Sequence, residues 1–155
     1  MNAIELAYRK FCEERFPLPN EAQVSDLEKR IGVRLPPDYR RFILEYNGGY
    51  FREAEITPAI EGCPVNGLDF MGGIGASHRS AELASQRSLA LFDDNDPPQI
   101  LPIGYTLMGN LIFLVTHPED NGTIGLKIAF TDQSFHLAKS IEAFFGLLHE
   151  RVARR

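Results

Sequence analysis

Within the 155-residue chain, the run VSDLEKRIGVRLPPDYRRFILEYNGG from Val24 to Gly49 leaves room for little except two helices and an abrupt stop. Asn20 is placed to cap the first helix and Gln23, three residues on, to complete a capping box, after which Val24, Leu27 and Ile31 share one face. Gly32 ends that helix, because only glycine takes the left-handed cap conformation at little cost, and Val33 and Leu35 return the chain to the apolar side. Pro36 and Pro37 open the second helix, where first-turn N–H groups have no intrahelical acceptor, and Asp38 sets a carboxylate against the positive end of the dipole. Tyr39, Phe42, Ile43 and Tyr46 form its apolar stripe, and Asn47-Gly48-Gly49 stops it.

The run E-K-R-I-G-V-R-L-P-P-D-Y-R-R-F-I-L-E-Y-N-G-G resembles the hallmark segment of the SMI1/KNR4 family of the SUKH superfamily, through Glu28, Gly32, Leu35, Pro36, Asp38, Tyr39, Phe42, Asn47, Gly48 and Gly49. The resemblance continues in Leu101-Pro102-Ile103-Gly104, in Gly109-Asn110 and in the Ser140-Ile141-Glu142-Ala143-Phe144-Phe145 run, so it spans most of the chain. One departure stands out. Thr106 and Met108 occupy the places where the middle motif of the family commonly carries an acid and a glycine. The resemblance implies a single α+β domain over residues 1–155. It also implies a non-catalytic role, chiefly that of a bacterial immunity protein that binds and neutralises a toxin domain, often a nuclease. Eukaryotic relatives act instead as regulatory or scaffolding proteins, so an intracellular scaffold that binds an endogenous partner is the alternative.

Composition agrees with one ordinary folded domain: 44% hydrophobic and 24% charged residues, no low-complexity run and no internal repeat. The N-terminal MNAIELAYRKFCEERF lacks the basic start and continuous apolar run of a signal peptide, and no stretch approaches the roughly 20 apolar residues of a membrane span. A cytoplasmic protein is expected. Cys12 and Cys63 show no metal or redox spacing and read as packed, reduced thiols, and Asn121-Gly122-Thr123 reads as a turn.

Charge distribution says more than the net −5. Residues 1–49 carry eight acids and eight bases, residues 50–136 eleven acids and four bases, and residues 137–155 two acids and four bases. The acidic middle argues against direct nucleic-acid binding, which draws its affinity from Lys and Arg on phosphates, and for a protein partner with a basic face.

The remaining chain alternates recognisable elements. Ala3 to Phe16 reads as an amphipathic helix, Tyr50 to Ile56 as a strand with Glu53 and Glu55 on its outer face, and Val65 to Met71 as another. A helix is expected from Ser80 to Phe92. Asp93-Asp94-Asn95-Asp96-Pro97-Pro98 follows, a solvated loop on the simplest reading and a stiffened display of carboxylates on the other. Ile100–Tyr105 and Leu111–Thr116 read as strands joined by a turn at Gly109, the second an interior strand because it is apolar without alternation. Ile124, Leu126, Ile128 and Phe130 alternate with Thr123, Gly125, Lys127 and Ala129 as a strand with one wet face, and Ser140 caps a closing helix whose stripe runs through Ile141, Phe144, Phe145, Leu148 and Val152. Arg151, Arg154 and Arg155 suit its C-terminal end. The order of elements predicts an α+β fold with a mainly antiparallel sheet covered by helices.

A search for chemistry turns up no enzyme. His78, His117, His136 and His149 are dispersed, no serine lies in a G-x-S-x-G elbow, and Gly72-Gly73-Ile74-Gly75 lacks the third glycine or the Gly-Lys-Ser/Thr of a phosphate loop. The acidic loop lacks the frame of a calcium site. No cofactor and no metal are expected. The candidate partner-binding residues are Glu53, Glu55, Asp93, Asp94 and Asp96.

Overall fold

Asn20 accepts the Gln23 N–H at 2.9 Å while the Gln23 side chain accepts the Asn20 N–H at 2.9 Å, so α2 (Glu21–Ile31) begins with the expected capping box. The computed structural model describes residues 2–58, 61–76, 81–83 and 99–151. Gly32 closes α2 at φ 77°, and α3 (Pro37–Glu45) buries Tyr39, Phe42 and Ile43. The turn between them is held by Glu28, whose carboxylate accepts the Leu35 N–H at 2.9 Å and the Arg40 Nε–H at 3.2 Å. The motif positions Glu28 and Leu35 thus belong to one hydrogen-bonded corner.

Helix α1 spans Ala3–Phe11, shorter than the expected run to Phe16, and Cys12–Glu14 forms strand β1 instead. The apolar periodicity alone does not mark that end. The Phe11 carbonyl leaves the helix to accept the Arg52 N–H at 2.8 Å, a bond to a segment forty residues away.

The expected strand over Tyr50–Ile56 is two strands in two sheets. β2 (Gly49–Phe51) and β3 (Ala54–Ile56) are separated by Glu53, which takes φ 61° and turns the chain out of the first sheet. Glu53 and Glu55 therefore do not share a strand face. The other strands are β4 (Leu68–Met71), β5 (Ile100–Thr106), β6 (Leu111–Val115), β7 (Ile124–Lys127), β8 (Ser134–Ala138) and β9 (Leu148–Glu150), with α4 (Ile141–Phe145) before the last. The main sheet is antiparallel in the order β1-β2-β4-β5-β6-β7-β8, and β3 pairs with β9 in a separate ribbon. This is the predicted α+β architecture.

Side chains from α1, α2, α3 and α4 join the main core with one face of the sheet. Phe42 sits at its centre, 5.4 Å from the Phe145 ring and 6.2 Å from Tyr8. On the other face an aromatic row, Phe16-Tyr50-Phe70-Tyr105, crosses β2, β4 and β5 at ring spacings of 5.5, 5.8 and 5.3 Å. Strand β6 is interior, as its unbroken apolar run requires.

Three expectations at the C-terminal side give way to tertiary contacts. The strand through Phe130 stops at Lys127, and Phe130 stands fully exposed in a left-handed turn at φ 62°. Strand β8 was not legible in advance. The closing helix ends at Phe145 rather than running through Val152, because Gly146 weakens it and the Leu147 carbonyl accepts the Thr57 N–H at 2.8 Å, drawing Leu148–Glu150 into the ladder with β3. Arg151 consequently lies beside that ribbon. The expected helix from Ser80 to Phe92, apart from residues 81–83, lies outside the described residues, as do the loop of Asp93, Asp94 and Asp96, His78, Val152, Arg154 and Arg155.

Candidate partner-binding surface

Strands β3 and β9 pair Ala54 with Glu150, Glu55 with His149 and Ile56 with Leu148. Because the strand period is two, this register sends Ala54 and Ile56 into the core and Glu55 outward with His149. The Glu55 carboxylate lies 3.6 Å from His149 Nε2 and 3.8 Å from Arg151 Nε, and Thr57 Oγ1 lies 2.8 Å from His149 Nδ1. Glu55 is therefore already matched within the chain. Such exposed pairs contribute little to stability, about 0–1 kcal/mol.

Glu53 occupies the reversal between β2 and β3, where its carbonyl accepts the Arg151 N–H at 2.8 Å and its carboxylate lies 3.9 Å from Arg52 Nε. It borders an open cleft of ≈ 440 Å³ at the seam between the main sheet and the ribbon. Phe11 contributes to the cleft wall, and Glu13, Glu53 and Glu150 face Lys10 and Arg52 around it. The structure thus gives Glu53 and Glu55 different surroundings, Glu53 at the cleft with Glu150 and Glu55 on the ribbon with His149 and Arg151. Asp93, Asp94 and Asp96 lie outside the described residues.

The family-motif residues build the scaffold behind this surface. Asn47, fully buried, accepts the Ile74 N–H at 2.8 Å and donates to the Ile74 carbonyl at 2.8 Å and the Pro17 carbonyl at 2.7 Å. A side chain on Gly73 would collide with the Asn47 carbonyl, and one on Gly48 with the carbonyls of Met71 and Gly72. The Asn47-Gly48-Gly49 stop and the Gly72-Gly73 turn are thus two backbones pressed together. Glycine is needed at both for close approach.

Glu82, which sequence reasoning passed over, accepts the Gly75 N–H at 2.7 Å and the Ala76 N–H at 3.1 Å. The amides that a phosphate would use at this glycine turn already hold a carboxylate of the chain itself. No pattern announces this, since Glu82 follows Gly75 by seven residues and meets it only through the fold. At the middle motif, Thr106 Oγ1 accepts the Asn110 N–H at 3.1 Å and Asn110 Oδ1 accepts the Ala129 N–H at 3.0 Å. The Thr106 hydroxyl is thus the acceptor that holds the start of β6 against the end of β5. Ile103 is buried in the core, and Gly104 lets the backbone of Phe70 and the Met71 sulfur approach.

Cys12 is half-buried, with Sγ 3.5 Å from the Glu14 carbonyl oxygen, and burial pushes its thiol up to about 11 despite the nearby Arg15 guanidinium. Burial raises Cys63 as well. Neither thiol is tuned toward the thiolate that nucleophilic chemistry needs. Among the described residues no cluster of three His, Cys, Asp or Glu side chains could hold a metal ion, and no helix is long and apolar enough to cross a membrane.

Comparison with known proteins supports the resemblance carried by these motifs. A curated relative, the uncharacterized protein YokK derived from the SPbeta prophage of Bacillus subtilis (strain 168), is 29% identical over 160 residues, covering 89% of this chain and 80% of its own length. No solved structure matches the chain. The pattern of the SMI1 / KNR4 family (SUKH-1) matches residues 18–146, which takes in both helices of the hairpin, the middle motif and α4. The chain belongs to the SMI1/KNR4 (SUKH-1) family.

Proposed function

We propose that this chain is a non-catalytic protein-binding domain acting as an immunity protein, one that neutralises a toxin domain of a bacterial polymorphic toxin system by covering its basic face. The observation that carries the reading is the family membership taken together with the acidic stretch from residue 50 to 136, eleven acids against four bases. The prophage origin of the YokK relative agrees with a role in conflict between bacteria. Many nucleases have a basic groove, and an acidic surface on a rigid scaffold meets such a groove with fast, electrostatically steered association. Glu53 and Glu55 with the carboxylates of Asp93, Asp94 and Asp96 are the steering groups. Glu55 is partly matched by His149 and Arg151, which lowers its own share of the steering.

The test uses the toxin domain encoded beside this chain's gene, purified in an inactivated form. Association rates of the wild type, Glu53→Gln/Glu55→Gln and Asp93→Asn/Asp94→Asn/Asp96→Asn are measured at low and high salt. At least one variant is expected to associate several-fold more slowly at low salt, with the difference shrinking as salt screens it. No binding by the wild type would sink the immunity reading. Equal rates for all three proteins would move the interface away from the acidic region.

A further inference from the structure

Asparagine is followed by glycine at Asn47-Gly48, Asn66-Gly67 and Asn121-Gly122. Such a pair carries a reaction of its own, because glycine puts no side chain in the way of its nitrogen and leaves the backbone free to fold that nitrogen onto the asparagine side-chain carbonyl carbon. Three conditions decide whether the reaction proceeds in a folded chain. The glycine N–H must be released, the asparagine amide must be free to turn, and water must reach the product. We infer that Asn121 is a site of spontaneous deamidation in the native protein, while the fold keeps Asn47 and Asn66 inert. This holds whatever partner the chain binds.

The Gly122 nitrogen forms a bond to Cγ of Asn121, and the bond from Cγ to Nδ2 breaks. Nδ2 leaves as ammonia with the proton that the Gly122 nitrogen gives up, and a cyclic succinimide remains. Water then opens the ring. Cleavage between the nitrogen and Cγ gives aspartate in the ordinary chain, and cleavage at the main-chain carbonyl carbon gives isoaspartate, whose backbone runs through the former side chain. Nothing is oxidised or reduced.

Asn47 fails every condition. It is fully buried, and its Nδ2, the leaving group, donates to the Pro17 carbonyl at 2.7 Å and to the Ile74 carbonyl at 2.8 Å. The glycine after it is pressed onto the carbonyls of Met71 and Gly72, and its own carbonyl accepts the Tyr8 hydroxyl at 2.9 Å. At Asn66 the side-chain Oδ1 is shut away from solvent and the backbone is tied on both sides. The Asn66 carbonyl accepts the Ile56 N–H at 3.2 Å, the Gly67 carbonyl accepts the Leu107 N–H at 2.8 Å, and Gly67 bridges Glu55. Closing a ring there would pull this segment from two neighbours at once.

Asn121 is exposed, just after the single helical turn Pro118–Asp120 that links β6 to β7. Its Nδ2 donates to the Thr116 carbonyl at 3.4 Å, near the outer limit of a hydrogen bond. Asn121 and Gly122 also line an open cleft of ≈ 170 Å³ with Pro36 and Lys139, which admits water to the ring. One restraint remains, the Gly122 N–H donating to the Val115 carbonyl at 2.9 Å. That bond lies beyond the last paired residues of the hairpin, Leu114 and Ile124, and bonds at the end of a ladder open at a small fraction of the global unfolding free energy. Reaction then alters the turn itself. The product sets a carboxylate next to Glu119 and Asp120 and removes the donor to Thr116, and the isoaspartate form adds a backbone carbon to the connection between β6 and β7.

The experiment incubates the full-length protein at mildly alkaline pH and follows the peptides that hold the three asparagines by mass spectrometry. Isoaspartate is read by methyl transfer from labelled S-adenosylmethionine, using a purified isoaspartyl methyltransferase. In the folded protein Asn121 is expected to convert at least tenfold faster than Asn47 or Asn66. In the same chain unfolded in guanidinium chloride, the three should convert within a few-fold of one another, which assigns the difference to the fold. Asn121→Ser keeps a small polar residue in the turn and should abolish the acidic species that accumulates on anion exchange. Equal rates at the three sites of the folded protein, or faster conversion at Asn66, overturn the proposal. So does an Asn121 that stays intact in the folded protein while the unfolded chain converts, because the Val115 bond would then be protection enough.

Discussion

Asn47 grips Ile74 by both ends of one side-chain amide, accepting its N–H and donating to its carbonyl, each at 2.8 Å. A third bond reaches the Pro17 carbonyl at 2.7 Å. One fully buried side chain at the end of α3 thereby fastens the chain before α2 and the turn after β4 to the hairpin. Asn47→Ala would leave two carbonyls and one N–H without their partner and put alanine at φ 58°. With each buried group left unpaired costing about 1–3 kcal/mol, a loss of roughly 3–5 kcal/mol is expected in urea unfolding. A loss under 1 kcal/mol would show that the three segments hold together without it.

The glycine turn offers a contrast within a few residues. Gly73→Ala forces a methyl group onto the Asn47 carbonyl, whereas the space around a Cβ at Gly75 is empty and only its φ of 68° is strained. Gly75→Ala should therefore cost about 1–2 kcal/mol. Gly73→Ala should cost clearly more, since backbone must move to admit it. Thermal melts of the two variants side by side would settle the order, and a reversal would mean that the two backbones are not in contact.

Tyr39 is buried in the core with no hydrogen-bond partner for its hydroxyl among the described residues, and burial holds that phenol neutral far above its ordinary range. Tyr39→Phe removes an unsatisfied donor while keeping the ring that packs 5.7 Å from Phe42. The variant should be as stable as the wild type or more stable by up to about 1 kcal/mol. A loss of 2 kcal/mol or more would mean that the hydroxyl has a partner after all.

Alkaline pH should act on the same core. Tyr8, Tyr39 and Cys12 are all shifted upward, in each case chiefly by burial, and Cys12 reaches about 11. Raised values mean that the folded state prefers the neutral, protonated forms. Their contribution is complete below the unfolded-state values, near 8.5 for the thiol and 10 for the phenols, and fades as pH rises toward the folded-state ones. The melting temperature should be flat to about pH 8 and fall from there through pH 11, and Cys12→Ala should flatten the first part of the fall. A melting temperature that rises over this range would contradict the direction.

The division between local and tertiary information runs through particular elements. Asn20 with Gln23, Gly32, Pro36-Pro37 and the Tyr39-Phe42-Ile43 stripe were all readable, because caps and helical stripes are set by residues within four positions of one another. The interior position of β6 was readable for a related reason, since five apolar residues in a row need cover on both faces. The ends of α1 and α4 were not. In both, the apolar period runs on past the helix, and what stops it is a backbone hydrogen bond to a distant segment, Phe11 to Arg52 and Leu147 to Thr57. Ladder bonds join main-chain groups that every residue carries, so they leave no mark in the side-chain pattern. The surfaces divide the same way. An excess of acids from residue 50 to 136 was a matter of counting. Only the tertiary structure matched Glu55 with His149 and Arg151 and set the β5–β6 turn next to the β7–β8 turn, because both depend on strand register rather than on spacing along the chain.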